Sequence, residues 1–408
     1  MMEKSREKEH VRTAVANKIT VDIGYKSLNK KGEELCGDKV EVLHTGASHI
    51  LILADGMGSG VKANILATMT SKILGTMFLR GIRLEQCVET IAETLPICRV
   101  RQVAYATFSI LQVSDDGSAY LVEFDNPGCI FIRNGRQMEI PKNYREISGR
   151  KINENHFMVQ KGDAFVLMSD GAINAGVGDL LNFGWTWESV AEYALREYAR
   201  TSTAMHLASE ISQACNDLYQ YRPGDDTTVA VMRIGERHLV NLMTGPASRK
   251  EDDVRMIREF MEDETAIRIV SGGTSAAIAA RVLGKEIDVS VAYTDGDVPP
   301  ISFIDGIDLV TEGVVTLNRV LGLLEQYTRD DEIDENFFLE LEKENGASMI
   351  AKILIESCTD LHLYVGQAVN EAYQNPELPF ELGIRQKLVD KLEDVMKRLG
   401  KTVVVRYY

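Results

Sequence analysis

The sequence L-I-L-A-D-G-M-G-S-G at residues 51–60 decides the fold predicted for the first half of the chain. An apolar strand ends abruptly at Asp55, three glycines follow, and a helical pattern begins directly afterwards. A strand end fixes the position of a carboxylate, and glycines allow the backbone to turn tightly and to approach a ligand closely. The stretch is either a strand-to-helix turn that requires glycine or a ligand-binding loop. It is not a Walker phosphate loop, because V-K-A follows Gly60 where that loop needs Lys and then Ser or Thr.

Short apolar runs alternate with turn signals on both sides of this stretch, through residues 19–234. The runs that predict strands lie at residues 19–25, 40–43, 50–54, 103–113, 119–124, 129–133, 157–160, 165–168 and 227–234. Three turn signals are each suited to a hairpin: D-D-G at residues 115–117, N-P-G at 126–128 and N-G at 134–135. Helical patterns occur in pairs, at residues 61–79 and 84–95 and again at 187–199 and 203–221. Hairpin-joined strands with paired helices predict an α+β sandwich and not a βαβ array.

The pattern changes after about residue 241, where apolar runs begin to alternate singly with helices. Strands are predicted at residues 266–270, 307–310, 361–365 and 402–407, and helices at 275–283, 314–326 and 385–399. This alternation predicts a smaller, Rossmann-like α/β domain with a mostly parallel sheet. Gly245-Pro246 interrupts the pattern within residues 236–249, so the predicted domains span residues 13–236 and 245–408.

Composition excludes several classes of protein. The 408 residues are 45% hydrophobic and 26% charged, which excludes a mainly disordered chain. Lys and Arg total 45 against 61 Asp and Glu, a formal charge of −16, so binding to nucleic acid or to an anionic membrane through positive charge is not expected. No apolar run reaches the roughly 18 residues that span a bilayer. The six cysteines lack C-x-x-C pairing and no apolar signal segment is seen, which together predict free thiols in the cytoplasm.

Three further carboxylates resemble Asp55 in lying at a strand edge beside a glycine. Asp170 lies directly after the apolar strand at residues 165–168, and Asp225 lies just before the last strand of the domain. Asp38 precedes the second strand. Turn chemistry alone also explains each of them. Together with Asp55, however, they give four strand-edge carboxylate sites in one domain.

Carboxylates in this arrangement point to a hard divalent cation, because Mg²⁺ and Mn²⁺ prefer oxygen ligands. The chain has no H-E-x-x-H motif or clustered His and Cys for zinc, and no G-x-S-x-G serine-hydrolase elbow. No cysteine has an arginine six positions later, which excludes the loop of cysteine-nucleophile phosphatases. The remaining chemistry is activation of water by metals that the carboxylates hold.

These segments resemble the metal-dependent Ser/Thr phosphatases of the phosphatase 2C (PPM) family, in particular the bacterial branch typified by the sporulation stage II protein E phosphatase domain. The likeness rests on C-G-D at residues 36–38, A-D-G-M-G-S-G at 54–60, S-D-G at 169–171 and D-D-T-T at 225–228. N-P-G at residues 126–128, followed by residues 130–135, also resembles the mid-domain hairpin of the family. The order and spacing of the motifs agree with the family over about residues 13–233.

The resemblance implies a sandwich of two antiparallel sheets flanked by helix pairs. It implies that Asp55 bridges two Mn²⁺ or Mg²⁺ ions and that the backbone carbonyl of Gly56 binds one of them. By the same resemblance Asp170 and Asp225 hold the other ion, and Asp38 matches an acidic position that binds metal directly or through water. The family's mechanism is in-line attack on phosphorus by a metal-bridging water, with no phosphoenzyme.

Two features depart from relatives in the wider family. Eukaryotic members carry an N-terminal arginine that grips the phosphate, whereas the matching strand here has Lys26, so phosphate binding is expected to depend on the metals. The sporulation protein has a membrane-spanning N-terminal region that is not expected here, and a role in sporulation does not follow. The bacterial branch is often regulated by movement of a helix pair that matches residues 61–95. We therefore expect metal occupancy to depend on how these helices dock.

A glycine-rich segment in the second domain, Gly272-Gly273-Thr274-Ser275, lies between a predicted strand and a predicted helix. Backbone N–H groups and hydroxyls at a helix N-terminus suit an anion, and the same residues suit simple N-capping. In a parallel sheet this loop would share the ligand-binding edge with residues 311–313 and 365–367. The expected role of the domain is a small-molecule sensor or a module that docks a partner.

Two functions are therefore predicted. The first is an active Mn²⁺- or Mg²⁺-dependent phosphatase that acts on phosphoserine or phosphothreonine of a bacterial signalling protein, for which the resemblance suggests an anti-sigma-factor antagonist. The alternative is a metal-binding pseudophosphatase that serves as a ligand sensor or scaffold through its C-terminal domain. The set of Asp55, Asp170 and Asp225 favours the first.

Overall fold

A computed structural model describes residues 19–94, 106–178, 180–289, 301–329, 333–368 and 380–408. The chain divides into two compact units, Met1–Glu236 and Arg237–Tyr408. The predicted domain ranges leave residues 237–244 between them, whereas in the structure the strand Leu239–Thr244 belongs to the sheet of the second unit. Residues 13–18 of the first predicted domain, Cys98, the end of the predicted helix at 84–95 and the start of the predicted strand at 103–113 lie outside the described residues.

The first unit contains two antiparallel sheets. One has five strands in the order β1-β11-β10-β6-β7, and the other has six in the order β2-β3-β4-β5-β9-β8. The five-stranded sheet consists of β1 (Thr20–Leu28), β6 (Ile130–Arg133), β7 (Arg136–Met138), β10 (Ala164–Met168) and β11 (Thr227–Gly235). The six-stranded sheet consists of β2 (Asp38–His44), β3 (Ser48–Gly56), β4 (Ala106–Ser114), β5 (Ser118–Phe124), β8 (Tyr144–Ile147) and β9 (Arg150–Met158).

Two helix pairs cover the outer faces of these sheets. The described helices of this unit are α1 (Gly60–Leu79), α2 (Leu84–Thr94), the one-turn α3 (Asp170–Ile173), α4 (Trp187–Tyr198) and α5 (Ala204–Leu218). Successive strand residues face opposite sides of a sheet, so β3 is buried on both faces. Leu51 and Leu53 pack between the sheets with Phe165, whereas Ile50 and Ile52 pack against α1 and α2. The predicted α+β sandwich flanked by helix pairs is confirmed.

The second unit has one seven-stranded sheet in the order β14-β15-β16-β13-β12-β17-β18. Its strands are β12 (Leu239–Thr244), β13 (Ile267–Ser271), β14 (Asp288–Val289), β15 (Ser302–Ile304), β16 (Ile307–Thr311), β17 (Asp360–Val365) and β18 (Thr402–Tyr407). Its helices are α6 (Asp252–Phe260), α7 (Gly273–Leu283), α8 (Val314–Tyr327), α9 (Glu335–Leu341), α10 (Gly346–Lys352) and α11 (Phe380–Arg398), with a π-helical turn at Ile353–Ser357. The pairs from β16 to β18 are parallel and the β14 and β15 pairs are antiparallel, which confirms a mostly parallel α/β sheet. No described helix is long and apolar enough to span a membrane.

Two of the three predicted hairpin turns are hairpins. Asp115-Asp116-Gly117 joins β4 to β5, and Asn134-Gly135 joins β6 to β7 with φ values of 51° and 68°. Positive φ at both central residues matches the strand twist of a two-residue hairpin. The hairpin predicted at Asn126-Pro127-Gly128 is wrong, because this segment connects β5 in one sheet to β6 in the other. The edge of β5 is already paired with β9, so the chain has to leave the sheet there.

The strand predicted at residues 157–160 is instead the longer β9, Arg150–Met158. Its first half was missed because it is polar, and a polar segment does not show the apolar alternation of a half-buried strand. Two of its polar side chains are buried and hydrogen-bonded: Asn153 donates to Glu123 at 2.7 Å, and Asn155 donates to Asn153 at 3.2 Å. Pairing within the sandwich therefore satisfies these side chains, as buried polar groups require.

Candidate metal centre

Two of the predicted metal ligands face each other across neighbouring strands. Asp38 begins β2 and lies opposite Asp55, near the end of β3, in the antiparallel register. The two residues belong to C-G-D and A-D-G motifs that are separated in sequence by the whole β2–β3 hairpin. The hairpin therefore brings together two carboxylates that the sequence shows as separate signals.

The other two predicted ligands come from the five-stranded sheet of the same unit. Asp170 follows β10 as the first residue of α3, and Asp225 lies just before β11. Because β10 and β11 are antiparallel neighbours, the end of one and the start of the other lie at the same edge. The charges of Asp38, Asp170 and Asp225 all act on Asp55. The four predicted sites thus form one acidic centre, which lies at strand ends of both sheets.

Burial and mutual repulsion disfavour the charged carboxylates at this centre. Burial, followed by the charges of Asp38 and Asp170, raises the pKa of Asp55 to about 9. Burial and the charge of Asp226 raise the pKa of Asp38 to about 7. Asp38 is only 4% exposed, and neither of its carboxylate oxygens has a donor in full hydrogen-bond geometry among the described residues, although the nearby side chains of Ser169 and Thr228 oppose the rise in its pKa. A buried carboxylate without a donor is costly unless a cation or a proton neutralises it, so its environment fits a hard cation.

The acidic side chains do not, by themselves, form a closed cage. Among the residues that the structure describes, no three acidic, His or Cys side chains are arranged closely enough to hold a metal ion. Mg²⁺ needs only one or two carboxylates, because water fills its other coordination positions. The donor chemistry therefore fits a hydrated divalent ion at the acidic centre.

The glycine after Asp55 is required by close packing. A Cβ atom at Gly56 would lie 2.1 Å from the carbonyl oxygen of Ala63 in the first turn of α1. The Gly56 N–H donates to the Gly37 carbonyl at 3.1 Å, which joins this strand end to the C-G-D segment. Gly171 is equally constrained, because a Cβ there would lie 2.1 Å from the Asp226 carbonyl oxygen. These contacts fix the backbone on which Asp55 and Asp170 stand.

Helix α1 is tied to the acidic centre at its N-terminal end. The Asn64 side chain donates to the carbonyl oxygen of Cys36 at 2.8 Å, next to the Gly37-Asp38 segment. The hydroxyl of Ser59, the residue before the helix, donates to the Glu33 carboxylate at 3.1 Å. A carboxylate at this end also stabilises the helix dipole. Helix α1 is therefore hydrogen-bonded to the segment that carries Asp38, at Cys36.

Two residues of this centre were missed by the sequence analysis. Asp226 was noted beside Asp225 but given no role; it is 4% exposed, and its Oδ1 accepts the Lys30 N–H at 2.9 Å. The Lys30 ammonium in turn lies 3.5 Å from Asp225 Oδ1. The pair of adjacent aspartates in D-D-T-T drew attention to Asp226, but the sequence does not show which of the two carboxylates is buried. No motif marked Lys30.

The glycine-rich segment of the second unit starts α7 at the carboxyl end of β13. Gly272 is the N-cap residue and donates its N–H to the Thr311 carbonyl at 2.8 Å, and no side chain caps the helix. Thr274 is exposed, whereas Ser275 is buried and its hydroxyl accepts the N–H of Gly245 at 2.8 Å. Ser275 thus holds the loop after β12, while the predicted anion site at Gly272-Gly273-Thr274-Ser275 stays a prediction.

Comparison with known proteins follows the boundaries of the first unit. The model of the family described as stage II sporulation protein E (SpoIIE) matches residues 45–235. The stage II sporulation protein E of Bacillus subtilis (strain 168) is 28% identical over 171 residues, which are 40% of this chain and 20% of the relative. The matched part therefore spans about a fifth of the length of that relative.

Several solved structures resemble this chain at low sequence identity. The phosphatase 2C domain of SpoIIE from B. subtilis, with a fragment of its regulatory domain, is 21% identical with a TM-score of 0.46, covering 54% of this chain and 65% of that one. The RsbU and RsbW domains of a Mycobacterium tuberculosis protein are 17% identical with a TM-score of 0.45, covering 61% and 71%. RsbX in complex with magnesium is 20% identical with a TM-score of 0.38, covering 53% and 96%.

All three TM-scores are below 0.5, so the likeness to the family depends on the sequence match and on the order of the strands in this chain. The SpoIIE match includes the A-D-G-M-G-S-G, S-D-G and D-D-T-T segments, which the fold gathers at one edge of two antiparallel sheets. The match at residues 45–235 therefore supports a SpoIIE-like, phosphatase 2C-type domain in the first unit.

Proposed function

We propose that this chain is a phosphatase that uses divalent metal ions to hydrolyse phosphoserine or phosphothreonine in a protein substrate. The observation that carries the proposal is the acidic centre, where two sheets bring Asp55 within the electrostatic reach of Asp38, Asp170 and Asp225. Carboxylates gathered at such a point repel one another unless a positive charge joins them. A stable fold with this arrangement is therefore suited to binding cations.

The proposed ligands are the side chains of Asp38, Asp55, Asp170 and Asp225 and the backbone carbonyl of Gly56. Two Mn²⁺ or Mg²⁺ ions, when bound, would supply an activated water and neutralise charge on the phosphoryl oxygens. Asp55 suits a shared position, because it receives the charges of carboxylates from both sheets. The contact of Gly56 with Ala63 holds the carbonyl rigidly, and a preorganised ligand needs no rearrangement on binding.

The proposed substrate is a phosphoprotein of bacterial signalling, and the family resemblance favours an anti-sigma-factor antagonist. The five described cysteines are unpaired, which supports a cytoplasmic location. For the second unit we propose a small-molecule sensor or a partner-docking module. The parallel strand order β16-β13-β12-β17-β18 supports ligand binding at the carboxyl ends of the strands, as in other α/β sheets.

The proposed activity is tested by hydrolysis of p-nitrophenyl phosphate with and without Mn²⁺. We expect metal-dependent turnover in the wild type and a loss of at least about a hundredfold in Asp55→Asn and Asp225→Asn, since each removes a charged metal ligand. Asp116→Asn is the matched control, because Asp116 is an exposed turn residue of the same domain whose side chain accepts hydrogen bonds from Ser118 in the same turn.

Activity that survives both ligand substitutions would sink the proposed mechanism. Calorimetric binding of Mn²⁺ without turnover on any phosphoprotein or small phosphate ester would instead favour the pseudophosphatase alternative. The two functions share a metal site and differ in turnover, so these two measurements separate them.

A further inference from the structure

Lys30 is fixed beside the acidic centre by its backbone. It lies two residues after β1, and its N–H donates to Asp226 Oδ1 at 2.9 Å. The next residue, Lys31, donates its N–H to the Pro223 carbonyl at 2.8 Å. Two backbone hydrogen bonds thus hold this connection against the segment that precedes β11. These bonds therefore fix the position of the Lys30 backbone relative to Asp225.

The Lys30 ammonium group reaches the open side of the centre. Its Nζ atom lies 3.5 Å from Asp225 Oδ1, and the two side chains are 37% and 41% exposed. The charge of Lys30 also reaches Asp170, where it opposes the rise in pKa caused by burial and by Asp225. Lys30 therefore brings a positive charge to Asp170 and Asp225, the predicted metal ligands beside the five-stranded sheet.

This ion pair is poorly suited to a purely structural role. A pair at this distance, with both partners more than a third exposed, adds little to stability. Among the described residues, the contact with Asp225 occupies one of the three donors of the ammonium group. An ammonium group on a fixed backbone, beside carboxylates that would hold cations, is suited to an anion that binds to those cations and to the lysine together.

We propose that Lys30 binds the phosphoryl group of the substrate at the acidic centre. The site takes a phosphate monoester dianion, whose oxygens accept hydrogen bonds from the ammonium group while the cations neutralise the rest of the charge. This supplies a phosphate-binding side chain from the β1–β2 connection, whereas the sequence assigned phosphate binding to the metals alone. The inference depends on the proposed function, because it places the substrate at the same centre.

The test measures binding of inorganic phosphate to the full-length, Mn²⁺-saturated protein by calorimetry, which does not require turnover. We expect Lys30→Gln to weaken phosphate binding about tenfold or more, the effect of losing one charge-assisted contact. Lys30→Arg, which keeps the charge and the donors, should retain most of the affinity. Lys31→Gln is the matched control, because Lys31 is the adjacent exposed lysine, and its affinity should stay within about twofold of the wild type.

Mn²⁺ affinity is measured on the same variants. Removing a positive charge beside Asp225 should leave Mn²⁺ binding unchanged or slightly tighter, so a loss of phosphate binding cannot then be a loss of metal. Unchanged phosphate affinity in Lys30→Gln would overturn the proposal, and so would weaker Mn²⁺ binding in that variant. Phosphate binding that depends on Lys30, in a protein without turnover, would support the site and reject the proposed catalytic function alone.

Discussion

Asp38 shows how a binding site opposes stability at the level of one residue. Its carboxylate is buried and faces Asp55 across the β2–β3 pair, and no described donor meets it in full hydrogen-bond geometry, although the side chains of Ser169 and Thr228 lie close enough to oppose the rise in its pKa. Burial raises its pKa to about 7, well above the ordinary value for an aspartate. The folded, metal-free protein therefore binds a proton at Asp38 more tightly than the unfolded chain does. Such a group weakens the fold as pH rises from about 4 to about 7, and by a constant amount above that.

Asp38→Asn should therefore stabilise the metal-free protein. We expect the free energy of unfolding in EDTA to rise by roughly 1–3 kcal/mol at pH 8, and by less at pH 5. Denaturant titrations of wild type and variant at both pH values check this. The exposed Asp116→Asn variant should show no such gain. A destabilised Asp38→Asn protein at pH 8 would mean that the carboxylate has a donor in solution, and the repulsion argument would fail.

The residues of the acidic centre were predictable to different degrees. Asp55 and Asp170 could be read from the sequence, because each ends an apolar strand and is followed by a glycine that close packing requires. Lys30 could not be predicted, because its importance comes from its contact with Asp225, which lies far from it in the sequence. Local patterns report local geometry, and an ion pair between distant segments leaves no local pattern.

At the level of elements, α1 connects the outer helix layer to the acidic centre. Its first turn packs on Gly56, and its Asn64 side chain bonds the carbonyl of Cys36 in the C-G-D segment. The remainder of the helix covers the six-stranded sheet through Leu66, Ala67 and Leu74. A shift of α1 would break the Asn64 contact and move the backbone beside Asp38. This gives a physical basis for the expected dependence of metal occupancy on helix docking.

Asn64→Ala should weaken Mn²⁺ binding roughly tenfold, the usual effect of losing a contact that orients metal ligands. Calorimetric titration of the full chain measures it. Lys72→Ala is the matched control, because Lys72 joins α1 to the middle of β2, through Glu41 at 2.7 Å, and not to the C-G-D segment that carries Asp38. Equal losses in both variants would point to general loosening of the helix and contradict a specific role for Asn64.

Elements with an apolar period were predicted well, and polar or connecting elements were not. Strands such as β3 and β10 were found because their apolar runs fill a core. β12 was missed, although its core residues are fully buried, because the glycine and proline after it suggested a linker. β8 was missed because most of its residues are exposed and polar, as suits an edge strand.

At the level of the whole molecule, each unit has a hydrophobic core of its own. The first unit is built around three clusters, between and outside its sheets, and a separate cluster lies in the second unit among β12, β13, α6 and α7. Units with independent cores are expected to unfold as separate cooperative steps. The proposed metal ligands all belong to the first unit.

Saturating Mn²⁺ should therefore raise the Tm of one calorimetric transition and leave the other unchanged. A ligand that binds only the folded form stabilises it by about 2.7 kcal/mol at a hundred times its Kd. Differential scanning calorimetry with and without Mn²⁺ measures both transitions in one experiment. A single transition that moves as a whole would contradict independent unfolding, and Asp55→Asn should abolish the shift in either case.

The order of strands within each sheet was beyond reach of the sequence. The residue patterns predicted an α+β sandwich and a mostly parallel sheet, and the family resemblance implied two antiparallel sheets, but none of these showed that β1 pairs with β11 or that β12 lies between β13 and β17. Pairing partners far apart in sequence are chosen by the burial of whole faces, which no single segment encodes. The family resemblance supplied the sandwich of the first unit, and for the second unit only the α/β class was predicted.

The pairing of β1 with β11 has a consequence for biosynthesis. Thr20 lies opposite Gly235, so β1, the first described strand to be translated, cannot pair until β11, the last strand of its unit, has been made. Asp38 and Asp55 are translated early and Asp225 late, and the acidic centre is complete only when the unit is. The sheet of the second unit differs, because β12 is made first and lies in the middle, next to β13, which is made directly after it. In the first unit, the edge of β1 that pairs with β11 is thus exposed until almost the whole unit has been translated, and unpaired strand edges of this kind are prone to aggregation.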